Sequence, residues 1–236
     1  VVPQIAPTFL DNCLTRNEWI CGRYYSTRSE ELRAAVIQHL GIVLASVALG
    51  LLVAVPLALL ARRYRRLEGI IVGTTTAIYT IPSLALFSLL VPFTGLGPRT
   101  VLIGLGLYSL TILVRAILDG LASVPADVRE SALGVGYGAR TLLWRVEIPL
   151  ALPAFMSGLR VATVSAVALT TVGSILDYGG LGDLILEDAT FKAQVLAGSV
   201  LCVALAVTLD VVLVLVQRLL TPWARSAAPR RKAVAA

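Results

Sequence analysis

Long apolar stretches alternate with short polar or basic interruptions along the chain, and this pattern predicts helices that cross a membrane. A helix of about 20 apolar residues spans the hydrocarbon core, and runs with at most one charge lie at 41–61, 69–98, 100–114, 153–176 and 193–216. The second run ends in Pro92, Gly95, Gly97 and Pro98, turn-forming residues that read as a loop. The third is short, but Arg99 and Arg115 flank it and can extend their stems to the headgroups from either end. Arg160 interrupts the fourth run and Asp210 the fifth. Intramembrane charges are functional candidates by default, but near a span end an arginine can snorkel, and an aspartate can reach water or a basic neighbour such as Arg218, so both also read as anchors. Residues 1–36 mix Phe9, Leu10, Trp19, Ile20, Tyr24 and Tyr25 with charges and are too polar to cross. They fit an interfacial helix followed by a linker, with Trp19 and the tyrosines at headgroup level. They also lack the apolar stretch of a secretory signal.

Composition agrees with the pattern. With 57% hydrophobic and 14% charged residues, a soluble domain is excluded, and the expected fold class is an all-α membrane protein with five core transmembrane helices. An odd number of spans places the termini on opposite sides. Arg62, Arg63, Arg65 and Arg66, the loop carrying Arg129, Arg140 and Arg145, and the tail with Arg218, Arg225, Arg230, Arg231 and Lys232 all fall on one side. Arg99, Lys192 and a charge-balanced N-terminal segment occupy the other. The positive-inside rule makes the basic side cytoplasmic, with the N-terminus outside and the C-terminus inside a cell membrane. Topology then accounts for the net charge of +6, and no aromatic-interleaved basic surface suggests nucleic acid. The expected organisation is an interfacial segment at 1–36, a membrane domain at 37–220 and a basic tail at 221–236. No internal repeat stands out.

Candidate chemistry is sparse. Cys202 reads as a small apolar residue within the last span. Cys13 and Cys21, placed outside, fit either a disulfide or two free thiols. His39 is the only histidine and stands alone beside a span boundary, where a solvated, interfacial side chain is expected. No nucleophile with its base and no metal-ligand cluster is legible, so the chain does not read as an enzyme. The second span carries Thr75, Thr76, Tyr79, Pro82 and Ser83, an unusual density of hydroxyls and helix-weakening residues. Such a helix either packs tightly through small and hydroxylated residues or lines a pathway where water satisfies its polar groups.

The most specific pattern lies in the long loop 116–152. Pro125-Ala126-Asp127 opens a short helix with an acid in its first turn. The chain breaks at Gly134-Val135-Gly136-Tyr137-Gly138, resumes, and closes on Glu147-Ile148-Pro149 and a second proline, Pro153. Helix, glycine turn and helix make a compact knob in which Ala132 permits close approach, Gly136 permits the turn, and Pro149 ends the knob as the chain re-enters the bilayer. This segment resembles the Glu-Ala-Ala loop of ABC-importer permeases through Glu130-Ser131-Ala132, Gly136, and Val146, Ile148 and Pro149, with serine in place of the first alanine. The resemblance covers roughly residues 36–220. Thr80-Ile81-Pro82-Ser83-Leu84-Ala85, Pro149-Leu150-Ala151-Leu152-Pro153 and Gly179-Gly180-Leu181-Gly182 narrow it to permeases for glycine betaine, carnitine, choline and related osmoprotectants, although Asp177-Tyr178 stands where small residues are more usual.

The resemblance implies a type I ABC importer permease whose loop is a coupling helix docking on a separate ATPase. It also implies a second permease subunit (an identical copy or a paralogue), two ATPase subunits and an extracellular solute-binding protein, with ATP and Mg²⁺ on the ATPase and no cofactor in this chain. The glycines of the loop form no phosphate-binding pattern, which agrees with ATP binding elsewhere. Other importer specificities, such as methionine or another amino acid, remain open. In a different class, Val135-Gly136-Tyr137-Gly138 superficially resembles a potassium-channel filter, though Gly134 stands at the threonine position and charged Arg129, Glu130 and Arg140 surround it.

Overall fold

The computed structural model describes residues 13–223 and is helical throughout its long elements. Expectations that concern Phe9, Leu10 and the basic residues from Arg225 onward lie outside the described residues. The elements are α1 (Gly22–Thr27), α2 (Ser29–Arg63), α3 (Arg65–Thr80), α4 (Ser83–Thr94), α5 (Pro98–Ala122), α6 (Ala126–Gly134), α7 (Ala139–Leu142), a π-helical turn (Leu143–Glu147), α8 (Ile148–Thr170), a 3₁₀ turn (Thr171–Leu176), α9 (Leu181–Glu187) and α10 (Lys192–Leu220).

Among the described residues four helices are long and apolar enough to cross a membrane: α2, α5, the run Ala139–Leu176 and α10. A fifth crossing exists if α3 and α4 count together, since the two are jointly long and apolar enough although bent by 101° at the break. The break has a chemical cause. Pro82 has no N–H to give, and it forces Ile81 before it out of the helical region, to φ −68° and ψ 128°. The freed Ile81 carbonyl accepts the Tyr108 hydroxyl from α5. On the same face of α5, Thr111 donates to the Thr75 carbonyl at 2.6 Å, and Arg115 donates to the Thr76 hydroxyl at 2.8 Å. Tyr108, Thr111 and Arg115 therefore form a polar stripe that seats α3. Arg115 is thus engaged within the protein, and α5 runs on to Ala122 instead of ending near it.

α5 is the central helix, packed against α2, α3, α4 and α8. Small residues set the approach: a Cβ on Gly50 would lie 2.9 Å from the Ser109 Cβ, and one on Gly158 would lie 2.1 Å from the Ala116 Cβ. Glycine at these points lets backbones come close, the packing that bilayers favour where no hydrophobic force brings helices together.

Other expectations are corrected by the packing. Helix α2 starts at Ser29, ahead of the boundary at residue 36 beyond which the membrane domain was expected to begin. The helix starts there because Glu30 and Glu31 favour its N-terminus, with Arg28 paired to Glu31 at 2.7 Å, and Arg62 and Arg63 favour its C-terminus. Cys13 and Cys21 are joined in a disulfide. The loop it closes is fastened by Asn17, whose side chain donates to the Thr190 carbonyl at 2.9 Å and accepts from the Lys192 N–H at 2.8 Å. Tyr24 is buried against Phe191, with its ring turned into the protein. His39 is wholly buried instead of solvated. Its Nε2 donates to the Val167 carbonyl at 3.1 Å, while Nδ1 accepts from the Leu181 N–H at 3.3 Å, so one ring fastens α2 to both α8 and α9. Arg160 and Asp210 pair with each other through two bonds of 2.7 and 2.8 Å, joining α8 to α10. Neither relies on snorkelling.

Candidate functional site

The loop expected to dock a partner projects as a knob at the end of the bundle that carries Arg62, Arg63, Arg65 and Arg66. α6 follows Pro125 and holds Asp127 in its first turn, where a negative charge meets the helix dipole. It ends in a Schellman turn: the Gly136 N–H bonds to the Leu133 carbonyl at 2.9 Å, and the Tyr137 N–H bonds to the Ala132 carbonyl at 3.1 Å. Gly136 has φ +91°, a conformation that a side chain disfavours. Open space surrounds it, so the requirement there is conformational.

From Ala139 the chain does not stop at Pro149. α7, the π turn and α8 run on as one helix, with Pro149 inside it at the second position of α8. The ring of Pro149 would oppose the carbonyl of Arg145 in a regular helix, and the wider π turn at Leu143–Glu147 falls where that conflict arises. The knob is therefore built into the span that follows it.

The knob is apolar and exposed at its glycine turn, with Leu133 at 53% and Val135 at 76% of full exposure, and again at Trp144 in the π turn, at 66%. Glu130, Ser131, Arg140 and Arg145 are exposed around them. The seven residues matched to the motif divide by position. Glu130 and Ser131 face outward, Ala132 is buried under the tip, Gly136 makes the turn, and Val146, Ile148 and Pro149 are half-buried at the root. Gly136-Tyr137-Gly138 occupies a helix-terminating turn, not an extended filter strand, which removes the structural basis for a channel.

A group that the sequence pattern did not single out stands at the same root. Glu147 is 1% exposed and accepts a hydrogen bond from Arg62 at the end of α2. Arg129 of α6 places its Nε 3.1 Å from the other carboxylate oxygen, at an angle that makes the contact an ion pair without a hydrogen bond, and donates instead to the Leu121 carbonyl at the end of α5. A cavity of about 450 Å³ beside them is lined by Arg65, Glu68, Leu118 and Ala122 as well. The signal available in the sequence was one acid between two apolar residues facing a run of arginines.

The hydroxyl-rich positions also divide. Thr75 is buried with its carbonyl held by Thr111, and Thr76 is held by Arg115. Both serve packing of α3 on α5. Tyr79 is 43% exposed and rests edge-on against Tyr108, ring centres 5.7 Å apart. Pro82 makes the bend, and Ser83 opens α4 and lines a cavity of about 380 Å³ with Thr171, Val172 and Gly182. Toward the end opposite the knob, a cavity of about 570 Å³ is lined by Glu31, Gln38, Ser174, Asp177, Asp183 and Glu187. Asp183 caps the turn before α9 by accepting the Gly179 N–H at 2.9 Å, and burial pushes its carboxyl above the usual range against the pull of that bond.

Comparison with known proteins agrees with this architecture. Residues 46–226 match the family described as binding-protein-dependent transport system inner membrane component. The glycine betaine/carnitine/choline transport system permease protein OpuCD of Bacillus subtilis is 36% identical over 204 residues, covering 85% of this chain and 89% of its own. The osmoprotectant import permease protein OsmW of Salmonella typhimurium is 34% identical over 198 residues, covering 81% and 92%. In fold, the chain is similar to the MetNI methionine ABC transporter in an inward-facing conformation, with a TM-score of 0.70 at 20% identity over 80% of this chain and 96% of that one.

Proposed function

Because the chain belongs to the family of binding-protein-dependent transport system inner membrane components, we propose that it is the permease subunit of an ATP-driven importer for glycine betaine or a related quaternary-ammonium osmoprotectant. The observation that carries the mechanism is the knob. Its exposed apolar tip, ringed by Glu130, Arg140 and Arg145, suits a groove on a soluble partner, and its second helix is the first part of a membrane span. A partner that closes around the tip would tilt that span with it, and rocking of packed helices gives alternating access. The substrate class rests on the relatives, whose names state osmoprotectant, choline and carnitine transport. The methionine transporter bears on fold alone.

In this reading the arginine-rich end is cytoplasmic and the disulfide end is outside, where such a bond persists. A second permease subunit completes the path, since α10 and much of α2 present apolar residues outward. Two ATPase subunits hold ATP and Mg²⁺, an external binding protein delivers the solute, and this chain performs no covalent chemistry. Of the pathway candidates, Thr76, Tyr79, Pro82 and Ser83 are left partly exposed and Thr75 is buried.

The test is reconstitution with the ATPase and binding protein in vesicles. Glu130→Lys and Gly136→Trp are expected to detach the ATPase or to uncouple hydrolysis from uptake, while the permease still inserts and pairs. Wild-type association and coupled uptake in both variants would remove the knob from the mechanism. Uptake of glycine betaine or choline, with none of methionine, is the expected specificity, and the reverse would reassign the substrate.

A further inference from the structure

We propose that Glu147 is a positioning residue for energy coupling, holding the knob and the α2–α3 junction together so that motion received at the tip reaches both halves of the bundle. This rests on the reading of the knob as the docking element.

The geometry is specific. Glu147 is the last residue of the π turn, so it moves with the knob's second helix and with α8. Its carboxylate is almost fully buried and is shared between two guanidinium groups from different elements, Arg62 at the end of α2 and Arg129 in α6. Arg129 also reaches the Leu121 carbonyl at the end of α5. One carboxylate thus gathers four elements at the point where the knob leaves the bundle. Arg62, Arg65 and Arg129 share one small cavity with only Glu68 and Glu147 to balance them. Without the charge on Glu147, the Arg62 and Arg129 guanidinium groups, 32% and 33% exposed, would share one cavity with no carboxylate held between them, and their repulsion would be reduced but not removed by water. The knob's first helix would then be pushed from the α2 end. The second helix would still be continuous with α8, so the tip could dock while its motion no longer reached α2 and α3.

A helix that only needed a stable root would be served by apolar packing there, because a buried ion pair adds little net stability over well-packed apolar residues. A charged cluster instead fixes one arrangement and resists slippage, which is what transmission of a movement requires. Coupling between distant sites is carried by such contiguous groups, and substitutions within them change it severalfold.

The experiment measures uptake, hydrolysis stimulated by the loaded binding protein, and ATPase co-purification for Glu147→Gln, Glu147→Asp and Arg129→Gln, beside Glu130→Lys and Gly136→Trp. Glu147→Gln is expected to retain the ATPase on purification yet transport about tenfold less substrate per ATP hydrolysed, with Glu147→Asp recovering part of the loss. A merely structural role would lower yield and association together and leave the transport-to-hydrolysis ratio of the assembled fraction alone. If Glu147→Gln does not assemble, Arg129→Gln decides, since it leaves Glu147 bonded to Arg62. A ratio lowered about threefold supports the proposal, and a wild-type ratio overturns it. A wild-type ratio in Glu147→Gln overturns it equally. If the two tip variants couple normally, the docking reading fails independently of the result at Glu147.

Discussion

Gly180 has φ +58° and ψ −112°, and a Cβ there would lie 2.8 Å from the backbone and Cβ of His39. Both the conformation and the contact exclude a side chain. Gly180→Ala is therefore expected to cost about 2 kcal/mol or more, read as a lower melting temperature of the purified protein, because α9 must then lift from α2. An unchanged melting temperature would mean that the turn relaxes freely. The same scale separates the hydroxyl-rich positions. Thr75→Leu should impair folding, since Thr75 is buried between α3 and α5, whereas Ser83→Leu should leave assembly intact and slow uptake by filling the cavity that Ser83 lines. Normal uptake in Ser83→Leu would strike it from the pathway. At this scale the sequence shows residues whose type is unusual for their place, such as a glycine run or a hydroxyl cluster. It does not show partners. Arg62 and Glu147 are 85 residues apart, and His39 and Leu181 are 142 apart. A lone histidine at a span boundary therefore reads as solvated until the fold closes over it.

Among elements, the bend between α3 and α4 was only half legible. Ile81-Pro82 announces an interruption, but a proline alone leaves open whether a helix kinks slightly or turns by the 101° observed. The size of the turn is possible because Tyr108 satisfies the Ile81 carbonyl that the turn leaves without a helical partner, and inside a bilayer an unsatisfied carbonyl is costly. Tyr108→Phe removes that donor and is expected to destabilise the protein by ~1–2 kcal/mol, measurable as a lower thermal midpoint in detergent. No change would show that water or another donor serves Ile81. The spans themselves were legible because a bilayer demands long apolar runs. Their ends were less so: α2 begins well before its apolar stretch and α5 ends well after its own, since a helix can continue beyond the apolar run on one buried face, here Leu32 and Ala35 in α2 and Gly120 and Leu121 in α5. The knob's helix, glycine turn and helix were legible in order, because a Schellman turn has a local signature. Its continuity with α8 was not, since Pro149 and Pro153 look like stops, yet the π turn directly before Pro149 lets the helix continue past it.

For the whole molecule, the proposed sidedness rests on basic residues at one end and a disulfide at the other. Val135→Cys at the knob tip should resist an impermeant thiol reagent in intact cells and react after permeabilisation, while Ser26→Cys should react in both, each in a Cys202→Ala background. The opposite pattern would invert the molecule in the membrane. The unbroken helix from knob to far side has a mechanical meaning of its own. Ala139–Leu176 is 38 residues, so at about 1.5 Å per residue it is a rod of about 57 Å. Pivoted where α5 grips its middle, a rod of that length tilted by about 10° swings each tip through about 5 Å, the width of a small solute. If the knob docks as proposed, the ATPase would hold one end of a lever whose opposite arm moves the mouth, while the Glu147 cluster would pass the same motion sideways to α2 and α3.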